Sequence, residues 1–361
     1  MRLPDIAMAR LTNQHIAGTK YTKAAELVQS MGAVQAQDYA MSKWGIGLRL
    51  RDAEESDIEK AIDKGTLIRT HVLRPTWHIV AATDIYWMLA LSAAKIKAQM
   101  QTMNRQLELS EKLFTKSNGI IEKELGKGKH LPREALSLAL EKEKIATRDT
   151  RLAHLLVRAE LDGIICSGKT QGHKKTYAML AERVPQKNLL NKEESLALLA
   201  KKYFASRGPA TVEDFSWWSG LTLTDARRGL ESIKKDLLCE KIAGSECWFG
   251  HKMQTPVKPA ASVYLLPAFD EFIISYKDRS ASLPAEHGKK ALTGNGIFYP
   301  VIIVNGKVTG LWKRSVQKNT LHIETSFFEK PGRTTERLLK NEIKRLQQFL
   351  SLPYNLHQPK S

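Results

Sequence analysis

Apolar residues recur at helical spacing through Ala24, Leu27, Val28 and Met31, and Gly32 follows as a stop, predicting one amphipathic helix. A charged helix fits 54–64, and two strand-like runs, 67–73 and 77–81, are interrupted by Arg74-Pro75. Helical patterning fills 84–129 and ends in the basic link Gly126-Lys127-Gly128-Lys129. A second unit opens at Leu131-Pro132-Arg133-Glu134, with proline near a helix start. Its helix over 148–161 turns Leu152, Leu155, Leu156 and Ala159 inward, Asp162-Gly163 stops it, and a strand at 164–166 leads into a polar loop over 167–175.

The pattern then repeats most clearly. After a helix over 192–206 come two capping-box signatures, Thr211-x-x-Asp214 and Thr222-x-x-Asp225, with Gly220 between them for a tight turn. Ala226, Leu230, Ile233 and Leu237 share one face of the second helix, while Arg227, Arg228, Lys234 and Lys235 stay off it. Strands over 237–242 and 246–250, joined at Gly244-Ser245, complete a helix–turn–helix with a hairpin, which is a winged helix. Beyond 257 the character changes to strands at 262–266, 272–276, 298–304, 307–312 and 321–325, with Asn305-Gly306 as a hairpin signal, a polar loop over 284–296 and a closing helix over 334–350.

The predicted fold class is therefore α+β: three tandem winged-helix modules followed by a small C-terminal β-barrel with a closing helix. The expected boundaries are 1–83 for the first module, 84–129 for a helical connection, 130–186 and 190–256 for the second and third modules, and 257–361 for the barrel.

Charge sharpens the picture. Among 361 residues, 56 Lys and Arg face 38 Asp and Glu, a net charge of +18 that points to a polyanion, nucleic acid first. A merely basic cytosolic protein is the alternative. The expected phosphate contacts are Arg148, Arg151 and Arg158 on the second unit's helix, Lys169, Lys174 and Lys175 in its loop, Arg227 and Arg228 in the third unit, and Lys289 and Lys290 in the 284–296 loop. Cys166, Cys239 and Cys247 make no disulfide framework; the last two could face each other across a hairpin, but two small buried side chains in a reduced compartment are the preferred reading. With no signal-peptide core and no bilayer-length apolar run, a cytoplasmic, nucleoid-associated monomer is expected.

Candidate chemistry is sparse. No metal set stands out, and His71 and His78 read as structural. Asp270 and Glu271 are open to two readings, acid–base work or a salt-bridged loop beside Lys277 and Arg279. Phosphate-binding glycine loops and nucleophile elbows are missing. Gln35-Ala36-Gln37 is the peculiar feature. In an extended segment residues two apart share a face, so both amides would enter one cleft and present carbonyl oxygens to positive charge or hold a water.

Five stretches, Val34-Gln-Ala-Gln-Asp, Arg74-Pro-Thr-Trp-His-Ile-Val, Ser206-Arg-Gly-Pro-Ala-Thr-Val-Glu-Asp-Phe-Ser-Trp-Trp-Ser-Gly-Leu-Thr, Leu265-Leu-Pro-Ala-Phe-Asp-Glu-Phe and Gly306-Lys-Val-Thr-Gly-Leu-Trp-Lys-Arg, carry a family signal. They resemble the AlkZ/YcaQ-like bacterial DNA glycosylases over nearly the whole chain. The resemblance implies three tandem winged helices on a barrel and excision of alkylated bases, including the unhooking of crosslinks. It also implies catalysis by a Gln-x-Gln element in the AlkZ branch, against Gln-x-Asp in the YcaQ branch. Gln35 and Gln37 match the former, and Asp38 points to the other face if the segment is extended. The expected activity is thus hydrolysis of the N-glycosidic bond of cationic alkylated purines in damaged double-stranded DNA, without a cofactor. A non-catalytic winged-helix transcriptional regulator, or more remotely an RNA-binding scaffold, is the alternative.

Overall fold

A computed structural model describes residues 3–186, 190–250 and 261–357. The chain starts with α1 (Leu3–Asn13), α2 (Ala24–Met31), β1 (Ala33–Gln35), α3 (Tyr39–Gly47), α4 (Glu55–Asp63), β2 (Leu67–His71) and β3 (Trp77–Ala81). β3 lies between β1 and β2, antiparallel to both. The long α5 (Ile85–Gln106) and α6 (Glu111–Leu125) lead to β4 (Leu131–Pro132), α7 (Arg133–Lys142), α8 (Arg151–Leu161), β5 (Ile165–Ser167), β6 (Thr176–Met179) and the single turn α9 (Leu180–Arg183). A second small sheet, in the order β4-β6-β5, results. Next come α10 (Lys192–Arg207), α11 (Val212–Ser219), α12 (Leu223–Ile233) and the hairpin of β7 (Leu237–Ile242) and β8 (Ser245–Gly250).

Local chemistry explains these boundaries. Thr211 and Asp214 form the reciprocal capping box at α11, Gly220 takes a left-handed conformation at its end, and Thr222 accepts from Asp225 N–H at the start of α12. Asp225 does not complete the second box, because its carboxylate pairs with Lys192 and Arg228.

The C-terminal region holds β9 (Val263–Leu266), α13 (Glu271–Ile274), α14 (Ala285–Ala291), β10 (Val301–Val304), β11 (Lys307–Gln317), β12 (Thr320–Phe327), α15 (Arg333–Leu350) and β13 (Tyr354–His357). Asn305 and Gly306 both have positive φ at the β10–β11 turn, as the hairpin signal requires. The whole is a mixed α/β protein.

Several sequence expectations change here. Among the described residues the C-terminal sheet is open, in the order β13-β12-β11-β10-β9, rather than a closed barrel. Helix α15 covers it instead, placing Leu339, Ile343, Leu346 and Phe349 in the core that the strands share. Residues 272–276 are not a strand but mostly the short helix α13. Asp270 caps it by accepting from the Phe272 N–H, and burial of Glu271–Ile274 erases any periodicity. The 284–296 loop contains α14. The segment through Trp44, Gly45 and Gly47, whose glycines alone suggest a connection, is the helix α3, capped by Asp38; a Cβ on Gly47 would overlap the Phe349 ring, so close packing requires that glycine. The cysteines are free, as the reduced reading held, but Cys239 is exposed rather than buried and stands opposite Trp248 rather than Cys247.

The β1-β3-β2 sheet is buried on both faces, so its strands show near-continuous burial rather than alternation, with Arg69, Thr70, His71 and His78 among the enclosed polar groups. Val34, Leu67 and Ile79 join the core of the C-terminal sheet, while Ala33, Ile68 and Val80 join the core of α5, α10 and α11. A separate core holds α6, α7 and α8.

Ion pairs rivet these layers. Buried Arg49 grips both oxygens of Asp270 at 2.9 and 2.8 Å and also donates to the Gly45 and Gln14 carbonyls. Removing one partner of such a pair strands a charge and costs about 3–5 kcal/mol. We expect Asp270→Ala to lower the urea midpoint of unfolding by that much stability without changing the slope; an unchanged midpoint would show that the pair is dispensable.

Candidate active site and nucleic-acid interface

Gln35 is the last residue of β1, where the strand meets the turn between β2 and β3. Its side chain is buried and its Oε1 accepts a 2.7 Å hydrogen bond from Arg74. A guanidinium only donates, so this contact fixes which end of the amide is the oxygen. Gln35 and Arg74 line an adjoining cavity of about 600 Å³ together with Trp217, Phe269 and Phe298. Gln37 lies two residues beyond the strand end and is exposed; its Oε1 accepts from the Trp77 backbone N–H at 3.4 Å. Of the two glutamines, only Gln35 lines this cavity. The expectation of one shared strand face assumed extended backbone through Gln37, and β1 ends before it.

Beneath Gln35 sits a polar cluster whose roles sequence reasoning did not assign. The fully buried Glu271 accepts from the Gln35 N–H at 2.8 Å, Arg207 at 2.8 Å, Trp218 Nε1 at 2.9 Å and the Ser275 hydroxyl at 2.7 Å. Burial alone would raise its pKa, but the Arg207 charge and these hydrogen bonds bring it down to about 2. Arg207 in turn donates to the Met31 and Ala33 carbonyls, fixing the start of β1. Asp270 and Glu271 are thus ion-paired, as the salt-bridged reading held, although with Arg49 and Arg207 rather than Lys277 and Arg279.

Two histidines flank the site. His78, opposite Gln35 across the sheet, is fully buried, with Nδ1 3.0 Å from the Thr76 carbonyl. Burial first, and Arg74 second, push its pKa down to about 3, so the ring is neutral. His71 bonds Glu160 at 2.5 Å. Sequence reasoning did not give Arg74, Arg207 or Glu271 these roles; the Arg74-Pro75 break within an apolar hairpin was the available signal.

The expected phosphate contacts fall into two groups. Arg148, Lys169, Lys174 and Arg227 are exposed, and so are Lys289 and Lys290 on α14, where Lys290 lies over Phe328 at 4.9 Å. Others are already engaged. Arg151 donates to the Leu107 and Ala146 carbonyls, Arg158 pairs with Glu111 and Asp162, and Arg228 pairs with Glu193 and Asp225. Lys175 reaches out from the second sheet to stack over Tyr39 of the first unit at 4.1 Å. No group of three or more metal-ligating side chains occurs among the described residues.

The depressed pKa values set an acid limit. For both Glu271 and His78 the stabilising contribution is complete above the unfolded-state pKa, near 4.5 and 6.5 respectively, and is lost as pH falls toward the folded values. We expect the melting temperature to fall progressively below pH 6.5, with a second steep loss between 4.5 and 2 that Glu271→Gln flattens. A variant with the wild-type acid profile would exclude Glu271 as the cause.

Comparison with known proteins agrees with this architecture. An interstrand DNA cross-link repair glycosylase of Streptomyces sahachiroi is 22% identical over 327 residues, covering 84% of this chain and 85% of that protein. The solved structure of the DNA glycosylase AlkZ from the same organism matches with a TM-score of 0.80 at 19% identity, covering 99% of this chain and 100% of that one. No described helix is long and apolar enough to cross a membrane. The model of the AlkZ-like DNA glycosylases matches residues 28–349, and the chain belongs to that family.

Proposed function

We propose that this DNA glycosylase hydrolyses the N-glycosidic bond of cationic alkylated purines, with the base extruded into the cavity beside Gln35. The observation that carries the reading is the Arg74–Gln35 contact at the edge of that cavity, which occupies the amide oxygen and leaves the N–H₂ to donate to a bound base. Trp217, Phe269 and Phe298 supply the apolar surfaces that an unstacked base needs. An N7-alkylated purine is already cationic and leaves as a neutral base, so strong acid catalysis is unnecessary. Gln35 donates to the departing base, and Gln37, outside the strand, holds the attacking water and turns its carbonyl oxygen toward the oxocarbenium-like sugar. The product is an intact abasic strand, with water as nucleophile and no covalent lysine adduct. Reduction with borohydride should therefore trap no protein–DNA complex.

The three helix-and-hairpin units support a reading as tandem winged helices, with boundaries near 83, 130, 190 and 257, that hold the duplex by its phosphates. The cavity opens widely to the exterior, and the relative named for cross-link repair motivates including crosslinked purines among the substrates. The deciding assay is release of N7-methylguanine from duplex DNA, with abasic sites revealed by hot alkali. A protein that binds an operator palindrome and releases no base would support the transcriptional regulator instead.

Two mutational results are expected. Gln35→Glu keeps the size but replaces the donor with a second acceptor, and should slow excision on the order of 10²-fold, the usual cost of one lost transition-state donor. Gln35→Ala combined with Gln37→Ala should abolish excision while leaving DNA affinity within a few fold. Wild-type single-turnover rates for Gln35→Glu would sink the donor role.

A further inference from the structure

A second cleft of about 450 Å³ opens between the first and second units. Its lining is cationic: Arg69 from β2, Arg133 from the first turn of α7, and Lys174 and Lys175 from the loop before β6, with His173 beside them. Glu134 is the one carboxylate among the lining residues, and Asp38 acts on Lys175 from nearby.

Two of the four cations are anchored by aromatic rings, while Arg133 and Lys174 are exposed. Arg69 stacks on the Trp77 ring at 3.8 Å and donates to the Ala36 carbonyl at 3.0 Å. Lys175 sits 4.1 Å above the Tyr39 ring, and its ammonium has no ion-pair partner among the described residues. Its pKa is lowered to about 8, mainly by burial, with the charges of Arg69 and Lys43 adding to the effect. Lys174 and Arg133 likewise lack a carboxylate partner among the described residues. Such an arrangement stores repulsion that an anion would relieve.

Its position relative to the glutamines is the informative part. Arg69 holds the Ala36 carbonyl, between Gln35 and Gln37, and the Trp77 N–H donates to Gln37. Tyr39 follows Gln37 by two residues. An anion in this cleft would therefore lie beside the Gln37 segment.

We propose that this cleft binds one backbone phosphodiester of the lesion-bearing strand, next to the nucleotide whose base enters the Gln35 cavity; the proposal rests on the glycosylase reading above. The phosphate neutralises Lys175, Arg133 and Lys174, and Arg69 couples its arrival to the backbone that carries Gln37. A free phosphate would satisfy the same chemistry, so the test must separate the two sources.

The test uses the full chain, a duplex with one N7-methylguanine, and uncharged methylphosphonate linkages placed one at a time around the lesion. Wild-type protein should lose affinity several fold at one register. The Lys175→Ala/Arg133→Ala double variant should bind more weakly on ordinary DNA, with a log–log salt slope flatter by about 0.9, and should show no further loss at that register. Lys175→Arg should restore both. Equal losses for wild type and double variant at every register would overturn the proposal. So would millimolar inorganic phosphate competing with wild type only, with no sensitive register, because the site would then be for a free anion. Failure of the glycosylase reading looks different: wild-type protein would release no N7-methylguanine at all.

Discussion

The buried Glu271–Arg207 pair is the constraint on which the site depends. One carboxylate, at zero exposure, takes hydrogen bonds from β1, the end of α10, α11 and its own turn α13. Burying an ion pair costs several kcal/mol per charge unless every lone pair is matched, and here four donors converge on it. The guanidinium is similarly saturated by two carbonyls, two hydroxyls and the carboxylate, with its plane 4.1 Å from the Trp218 ring. The pair therefore adds little net stability but fixes one arrangement, because any slip of β1 against α13 would strand a charge. Gln35 inherits that precision through its backbone N–H, which donates to Glu271.

The small β1-β3-β2 sheet extends the same logic outward. With one face in each of two cores it cannot shift register by a residue without exchanging its sides, and the polar groups at its end are held where the apolar ones put them. Stiffness at this point suits an amide. Unlike a carboxylate, a glutamine cannot rely on long-range charge, so its hydrogen bonds count only when their direction is set beforehand.

How much of this the sequence could reveal follows from which signals are local. Capping residues and turn glycines act within four residues, so Thr211, Gly220, Gly32 and Asn305-Gly306 marked their element ends correctly. The Gln35–Gln37 element was visible as an odd pair, and the family resemblance, now matched over residues 28–349, named the chemistry. The partners of Gln35 were not visible. Arg74 is 39 residues away and Glu271 is 236, and nothing in a single sequence says that Glu271 meets Arg207 rather than Lys277. Short elements failed for a related reason. α13 is buried on every side and shows no period, and the glycines of α3 look like a linker until Phe349 packs against them. Basic residues were legible as a class but not as individuals, since Arg158 and Arg228 satisfy local carboxylates while Lys175 does not.

On the proposed mechanism the division between the two glutamines has a physical rationale in where charge travels. Breaking the glycosidic bond of a cationic purine moves positive charge from the base to the sugar, so the base gains electrons as the sugar loses them. Groups that favour the transition state over the bound substrate must then be donors and cations on the base side and acceptors on the sugar side. Gln35, with its N–H₂ left to donate, and Arg74 beside it fit the first role, because both interact better with a neutralising base than with a cation. Gln37, with an exposed carbonyl held only by a 3.4 Å contact, fits the second. Arg74 would weaken binding of the cationic substrate, and the phosphodiester assigned to the neighbouring cleft would offset that loss by anchoring the strand away from the reacting bond. Binding energy gathered at the phosphate could thus be set against repulsion at the base, and that repulsion is relieved only as the bond breaks.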